Sequence, residues 1–390
     1  MKKSNILKAF FENPSSGGIV LLICAVFAVV MATVPSGAWF DDIWNKVVGI
    51  NLGSFSLEMD LRTWVNDALM AVFFFTVGLE IKREVVSGQL CSVRRSVLPT
   101  FAALGGMLVP ALIYSLQNFG TETASGWGIP MATDIAFAIG IISVLGSRVP
   151  SSLKIFLTAL AIVDDLGAIV VLAVFYPAHA LHLSYLLIVA GVMAVLVMLN
   201  KYGRNKLIYI VTGGVVMWYF TLLSGIHATI AGVLLATTVP ISEDPHANST
   251  NSMLHKLEQN LHPYVAFLIM PIFALSNAGV AFHIDAFQGG IPHVSIGIMA
   301  GLMLGKPLGI FIFSFLAIKG GFAAKPIGTN WFQIFAVSIL GGIGFTMSIF
   351  ISNLAFQDPA IIDVAKISIL IASSGAAVIG LTCLAISCKK

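Results

Sequence analysis

The chain has 390 residues, of which 58% are apolar and only 10% are charged, against about 25% charged residues in soluble domains. A soluble fold of this size could not cover its surface with so few charges, so a soluble protein is excluded. The net charge of +3 is too small to suggest a nucleic-acid partner.

Apolar stretches long enough to cross roughly 30 Å of hydrocarbon recur along the whole sequence. Because lipid requires every backbone polar group to be paired within its own segment, these stretches predict membrane-spanning helices. We predict one integral membrane domain over residues 1–390, an all-α polytopic protein of about twelve spans. The predicted spans lie near 16–34, 60–86, 97–118, 126–145, 151–176, 182–200, 206–221, 225–239, 254–281, 294–318, 331–351 and 360–386.

The basic residues are distributed very unevenly between the two sets of alternating loops. Seventeen of the 21 Lys and Arg residues fall in the two terminal segments and the loops on their side, whereas Lys46, Arg62 and Lys366 fall on the other. Basic residues accumulate on the cytoplasmic side of a membrane. The distribution therefore predicts that both termini are cytoplasmic.

The loop over residues 35–59 lies on the opposite, extracellular side. It contains β-forming residues around Asn51 and Gly53, which predict a β-hairpin at about 45–58. An exposed two-stranded ribbon has free edges that can pair with a second copy of itself. The functional interpretation is a homodimer contact, and the alternative is a plain surface turn.

Four ionisable residues lie near the middle of predicted spans: Asp134, Asp164, Asp165 and Lys306. At the centre of a bilayer each such side chain costs roughly 2.5–3.5 kcal/mol on insertion scales. Their similar depth on three separate spans favours one shared site. The alternative is a set of buried ion pairs that only fixes the packing of the helices.

The doublet Asp164-Asp165 suggests what such a site binds. Adjacent side chains on a helix project about 100° apart, so one carboxylate can face Asp134 while the other faces Lys306. Carboxylates that are desolvated together hold protons readily, and their oxygens also suit a hard cation. Competition between a proton and a cation for the same oxygens is the chemistry of exchange.

Two predicted spans contain residues that interrupt a helix. Span 126–145 contains Pro130, which removes a helix hydrogen bond, and span 331–351 contains glycines at 341, 342 and 344. Taken alone, proline and glycine are ordinary residues of membrane helices.

The positions of the interrupted spans give them more weight. Each is the middle span of a triplet, at about 97–176 and 294–386, and the loop assignment makes the two triplets run in opposite directions. Paired broken helices in inverted repeats mark the binding site of secondary transporters, a generalisation that itself draws on the family named below. In such a site Asp134 would neutralise the positive ends of the half-helices and Lys306 the negative ends.

Seven stretches, four of which contain these residues, resemble the NhaA family of bacterial sodium/proton antiporters. They occur in order over nearly the whole chain, and the match loosens around 177–184, around 240–256 and at the two ends. The stretches are 64–84 (WVNDALMAVFFFTVGLEIKRE), 129–140 (IPMATDIAFAIG), 154–168 (KIFLTALAIVDDLGA), 225–232 (GIHATIAG), 271–280 (PIFALSNAGV), 305–309 (GKPLG) and 341–350 (GGIGFTMSIF).

The resemblance implies twelve spans with two inverted repeats, whose interrupted helices cross at mid-membrane. It implies a secondary active antiporter, not an enzyme, that exchanges Na+ or Li+ for H+ electrogenically and regulates cytoplasmic pH and sodium. The predicted location is the bacterial inner membrane, the hairpin predicts a homodimer, and no cofactor is expected.

The resemblance also assigns roles to single residues. Asp164 and Asp165 match the ion-binding and proton-carrying pair, Asp134 and Thr133 match accessory positions at the crossing, and Lys306 matches a lysine proposed to pair with the first aspartate. Positions linked to the cytoplasmic funnel or to the pH response are Asp67, Glu80, Glu84, His227, Glu243 and Glu258.

Some residues of the funnel and pH-response group also have a purely structural explanation. A histidine such as His227 often packs with its hydrogen bonds satisfied. The run Lys82-Arg83-Glu84 is typical of a solvated helix end. Sequence divergence around 240–256 weakens the assignment of Glu243.

Three other functions fit the residues less well. An intramembrane aspartyl protease needs an aspartate in a GxGD-type turn, whereas Asp164 follows Ile162-Val163 and residues 341–344 include no aspartate. A proton-coupled carrier of organic solutes would need a wider polar or aromatic cavity. A channel would show a ring-forming filter sequence that repeats within the chain, and this sequence contains no such repeat.

Overall fold

The computed structural model describes residues 14–51, 56–202, 207–241, 252–280 and 291–388. Apart from one pair of strands, the regular structure of these residues is helical, which confirms the all-α polytopic class. Short 3₁₀ turns occur at Pro35–Gly37, Gln89–Cys91 and Gly146–Arg148. The helices are α1 (Pro14–Thr33), α2 (Ala38–Trp44), α3 (Leu61–Val86), α4 (Val93–Gln117), α5 (Ile135–Val144), α6 (Ser151–Phe175), α7 (Leu183–Lys201), α8 (Leu207–Ser224), α9 (Ile230–Thr238), α10 (Met253–Tyr264), α11 (Met270–Asn277), α12 (His293–Lys319), α13 (Trp331–Gly341), α14 (Phe345–Ala355) and α15 (Pro359–Ser387).

Most predicted spans coincide with a helix of membrane-crossing length. Among the described residues, nine helical segments are long and apolar enough to cross, and α13 with α14, bent by 44°, makes a tenth. The other two predicted spans are 225–239, where α9 has nine residues, and 254–281, where the π turn Val265–Ile269 joins α10 to α11. The count of twelve therefore stays a prediction.

A β-hairpin lies between α2 and α3. Strand β1 (Val47–Asn51) pairs antiparallel with β2 (Ser56–Asp60), and Val47 lies opposite Asp60. The Nε1–H of Trp64 donates a hydrogen bond of 2.8 Å to the carbonyl oxygen of Val48, which ties β1 to the start of α3. The valines of β1 and Ile50 are exposed. The extracellular position of this hairpin stays a prediction.

The chain forms two compact units. The first comprises Met1–Val34, Gln89–Ala168 and Asn277–Lys390. In this unit α4 and α12 approach closely at Gly105 and Gly309, because a Cβ atom added to either glycine would collide with the backbone carbonyl of the other. Small residues permit such close contact between membrane helices.

The second unit comprises Pro35–Gly88 and Ile169–Ser276. Its apolar core includes the buried side chains of Phe75, Leu196 and Met217. The packing of α3, α7 and α8 around these side chains forms this core.

A helix, an interrupted helix and a second helix follow one another twice along the chain. The first series is α4, a 3₁₀ segment Ala124–Met131 followed by α5, and α6. The second series is α12, the pair α13 and α14, and α15. The two series cover the predicted repeats at 97–176 and 294–386, and their inverted relation stays a prediction.

Candidate functional site

The two interrupted spans contact each other at their breaks. After the 3₁₀ segment Ala124–Met131 the chain is extended through Asp134, and α5 begins at Ile135. The backbone N–H of Asp134 donates to the carbonyl oxygen of Ile343 at 2.7 Å. The hydroxyl of Thr133 donates to the carbonyl oxygen of Gly341 at 2.9 Å. The residues around Pro130 and around the glycines at 341–344 thus form one crossing.

Asp134 caps two helices with a single buried carboxylate. Its Oδ1 accepts a hydrogen bond of 2.9 Å from the N–H of Phe137 in the first turn of α5. Its Oδ2 accepts one of 3.2 Å from the N–H of Thr346 in the first turn of α14, and another from the Thr346 hydroxyl. Because helix amino ends carry partial positive charge, this carboxylate stabilises both half-helices.

Lys306 and Thr133 donate hydrogen bonds to the carboxyl ends of the half-helices. The Nζ of Lys306, which is fully buried, donates to the carbonyl oxygen of Met131, where the 3₁₀ segment ends. The hydroxyl of Thr133 likewise donates to the carbonyl oxygen of Gly341, the last residue of α13. A cation and a donor therefore lie where the partial negative charge of each half-helix is concentrated.

Lys306 also joins this crossing to α6. Its Nζ lies 2.7 Å from Oδ2 of Asp164, and both side chains are buried. The carboxylate of Asp165 interacts electrostatically with the same ammonium group. The aspartate doublet, Lys306 and the crossing thus form one buried cluster within the first unit.

The second carboxylate oxygen of Asp164 has a different environment. Within the described parts of the chain, no hydrogen bond reaches its Oδ1, although that atom is buried. A buried anionic oxygen without a donor is costly, and a proton or a cation stabilises it. The site can therefore accept one more positive partner at this atom.

A widened turn precedes Lys306. Gly301–Gly305 form a π turn, and the N–H of Lys306 bonds to the carbonyl oxygen of Gly301, five residues earlier. The next residue, Pro307, has no N–H, and its ring crowds the carbonyl four residues earlier. Such π turns occur frequently at functional sites.

Three of the predicted pH-response residues gather in the second unit. The Nε of Arg83 donates to both carboxylate oxygens of Glu258 at 3.0 Å, and its Nη1 donates to Glu84 at 2.6 Å. Oε1 of Glu80 lies 3.9 Å from Nδ1 of His262. This set of acids, imidazole and guanidinium links the end of α3 to α10.

The remaining predicted residues of this group lie on other elements. Asp67 belongs to the π turn Val65–Leu69 of α3, and its carbonyl oxygen accepts a 3.0 Å hydrogen bond from Nε1 of Trp218. His227 lies just before α9, beside the backbone of Tyr176. Glu243 lies outside the described residues.

Two hydroxyl residues of the crossing are absent from the sequence prediction. Thr346 donates to Asp134, and Ser348 donates to the carbonyl oxygen of Ile129 at 2.8 Å. Both follow the glycines at 341–344 within the first turn of α14. Hydroxyl residues directly after a helix break are the signal that could have identified them.

The chain is similar to known antiporters over almost its whole length. The model of the family described as Na+/H+ antiporter 1 matches residues 8–384. A Na(+)/H(+) antiporter NhaA of Pelagibacter ubique is 47% identical over 391 residues, which are 99% of each chain. One of Escherichia coli is 49% identical over 381 residues, 96% of each chain. A Na(+)/H(+) antiporter NhaA 2 of Flavobacterium johnsoniae is 49% identical over 369 residues, 94% of this chain and 89% of that one.

Proposed function

The chain belongs to the Na+/H+ antiporter 1 family and exchanges sodium ions for protons across a membrane, and from that premise we propose that both ions compete for Asp164 and Asp165. The observation that carries this proposal is the buried Oδ1 of Asp164, which accepts no hydrogen bond from the described residues. Lys306 binds the other oxygen of the same carboxylate. A proton or a sodium ion completes this arrangement, but both together would place excess positive charge in it.

The proposed cycle begins with the site open to the cytoplasm. The doublet loses its protons and accepts a dehydrated sodium ion, and Thr133, Asp134 and backbone carbonyls at the crossing supply further oxygens. The repeats then rock, sodium leaves on the outer side, and protons reload the carboxylates. Inward proton flow thereby drives sodium out of the cell.

The number of titrating groups makes the exchange electrogenic. If Asp164 and Asp165 both bind protons, more charge crosses as protons than as sodium in each cycle. Lithium, a smaller ion of the same charge, suits the same oxygens. The exchange would regulate cytoplasmic pH and sodium without any cofactor.

Asp165→Asn tests the assignment of the doublet. Loss of one titratable carboxylate should abolish sodium-induced pH changes in proteoliposomes that contain the purified protein. Glu122→Gln is the matched control, because Glu122 is an exposed carboxylate outside the cluster. Full exchange by Asp165→Asn, at the rate of the control, would reject the assignment.

We further propose that the acidic group around Arg83 responds to cytoplasmic pH. Glu80 and Glu84 at the end of α3 lie beside Glu258 and His262 of α10, and protonation there changes the balance of charge around the guanidinium. Asp67 and His227 lie on other elements of the same unit, and Glu243 shares this role by family resemblance alone.

Orientation and assembly complete the proposal. The excess of basic residues on one set of loops supports cytoplasmic termini in a bacterial inner membrane. The exposed apolar side chains of Val47, Val48 and Ile50 on the hairpin support a homodimer contact outside the membrane.

A further inference from the structure

The first turn of α14 has backbone donors that its own helix cannot satisfy. The first hydrogen bond of the α-helical pattern runs from the N–H of Ser348 to the carbonyl oxygen of Gly344 at 2.9 Å. The preceding N–H groups need other partners, as at every helix amino end. Gly344, the residue before the helix, has no side chain with which to cap it.

Two different elements supply partners for the first two of these groups. The N–H of Thr346 donates to Asp134, as described above. The N–H of Phe345 donates to the hydroxyl oxygen of Ser373 at 3.0 Å. Ser373 is buried in the middle of α15, which is one unbroken helix. The amino end of α14 is thus held by α15 as well as by the start of α5.

The surroundings of Ser373 make this hydrogen bond important for fixing the start of α14. A cavity of about 470 Å³ lies next to Phe345 and Ser373, and Phe137 and Ser374 also line it. On the side of this cavity the start of α14 has fewer protein neighbours that could hold it. The ring of Phe345 packs on Phe137, with centroids 5.4 Å apart, and the hydrogen bond to Ser373 fixes its backbone.

We propose that Ser373 is a positioning residue for ion exchange, which fixes the start of α14 and thereby keeps Thr346 on Asp134 at the crossing. Without the Ser373 hydroxyl, the buried N–H of Phe345 would lack its acceptor. The end of α14 would then shift toward Asp134, the other acceptor at this end of the helix. This inference rests on the proposed function, because the oxygens of Asp134 at this crossing are among those that would bind sodium.

Ser373→Ala tests this role against Ser374→Ala. Ser374 lines the same cavity but is exposed, so the two variants remove the same hydroxyl from neighbouring positions. We expect Ser373→Ala to raise the KM for sodium about fivefold, the effect of one lost hydrogen bond, with a nearly unchanged maximal rate. Ser374→Ala should keep the native KM. The measurement is proton exchange in proteoliposomes over a sodium series at fixed pH.

Two conservative variants separate positioning from a general loss of stability. Ser373→Thr retains a hydroxyl and should restore the native KM. Ser373→Cys offers a weak acceptor and should raise the KM even if Ser373→Ala does not fold. A native KM in Ser373→Ala, or in Ser373→Cys when the alanine variant is absent from the membrane, would overturn the role of Ser373.

The same assay distinguishes this inference from the proposed function. Exchange that persists in Asp165→Asn overturns the assignment of the doublet. An inactive Asp165→Asn together with a native KM in Ser373→Ala overturns the role of Ser373 alone.

Discussion

The ammonium group of Lys306 lies between a carboxylate and a helix end. It bonds to Asp164 on α6 and to the carbonyl oxygen of Met131, with no exposure to solvent. A buried charge of this kind is tolerable only while its partners remain, since removal of one partner leaves the other uncompensated.

Lys306→Ala should therefore destabilise the protein strongly. Breaking a buried pair costs roughly 3–5 kcal/mol, because the carboxylate of Asp164 would remain buried without its counter-ion. The measurement is thermal unfolding in detergent, together with the pH dependence of exchange. Lys201→Ala, at the exposed end of α7, is the control and should change stability by less than about 0.5 kcal/mol.

A double variant sharpens this prediction. Asp164→Asn combined with Lys306→Ala removes both charges and should recover part of the lost stability. A Lys306→Ala variant with native stability and a native pH profile would remove Lys306 from the mechanism.

At the scale of single residues, the sequence identified the buried charges but not all of their partners. The lengths of the predicted spans alone place four charged residues near mid-membrane: Asp134, Asp164, Asp165 and Lys306. The hydrogen bond between Thr346 and Asp134 joins residues 212 positions apart, and that from Phe345 to Ser373 joins residues 28 apart. Such pairs depend on how helices meet, which a single sequence does not record.

Among the helices, the contact between α4 and α12 depends on two glycines that face each other. Gly309→Ala should destabilise this contact by about 1–3 kcal/mol, the usual cost of overpacking, because its new Cβ would meet the backbone of Gly105. Gly191→Ala in α7 is the control, since among the described residues no atom beyond the neighbouring backbone of its own helix lies within 4 Å of its added Cβ. That control should be neutral or slightly stabilising.

Thermal unfolding and the amount of folded protein in the membrane measure both glycine variants. Equal effects of the two substitutions would show that helix propensity, and not the close approach of α4 and α12, decides the outcome.

The helix breaks were predictable in place but not in form. Pro130 and the glycines at 341–344 indicate where two spans are interrupted, and the structure interrupts them there. The 3₁₀ winding of Ala124–Met131 and the π turn Gly301–Gly305 are not predictable from composition. At the crossing itself, tertiary hydrogen bonds such as that from Asp134 to Ile343 replace the regular helix pattern.

For the whole molecule, the hairpin gives the most direct test of assembly. Replacement of residues 47–60 by a short Gly-Ser linker should convert a dimer into a monomer, because it removes the free strand edges and the exposed Val47 and Ile50. The measurement is the mass of the detergent-solubilised protein by light scattering. Exchange of sodium for protons should persist in the monomer.

Ile327→Ser is the control for this test, because Ile327 is an exposed apolar residue distant in sequence from the hairpin. A linker variant that kept the mass of the native assembly would place the dimer contact elsewhere.

The site has a further consequence that follows from its excess of acidic groups. With no ion bound, the three buried carboxylates of Asp134, Asp164 and Asp165 outnumber the single ammonium of Lys306, and either sodium or protons reduce the negative charge that remains. Transfer of uncompensated charge through a low-dielectric barrier costs several kcal/mol. This cost alone would discourage the unloaded protein from changing sides, so the two ion gradients stay coupled and neither drains through the other's pathway.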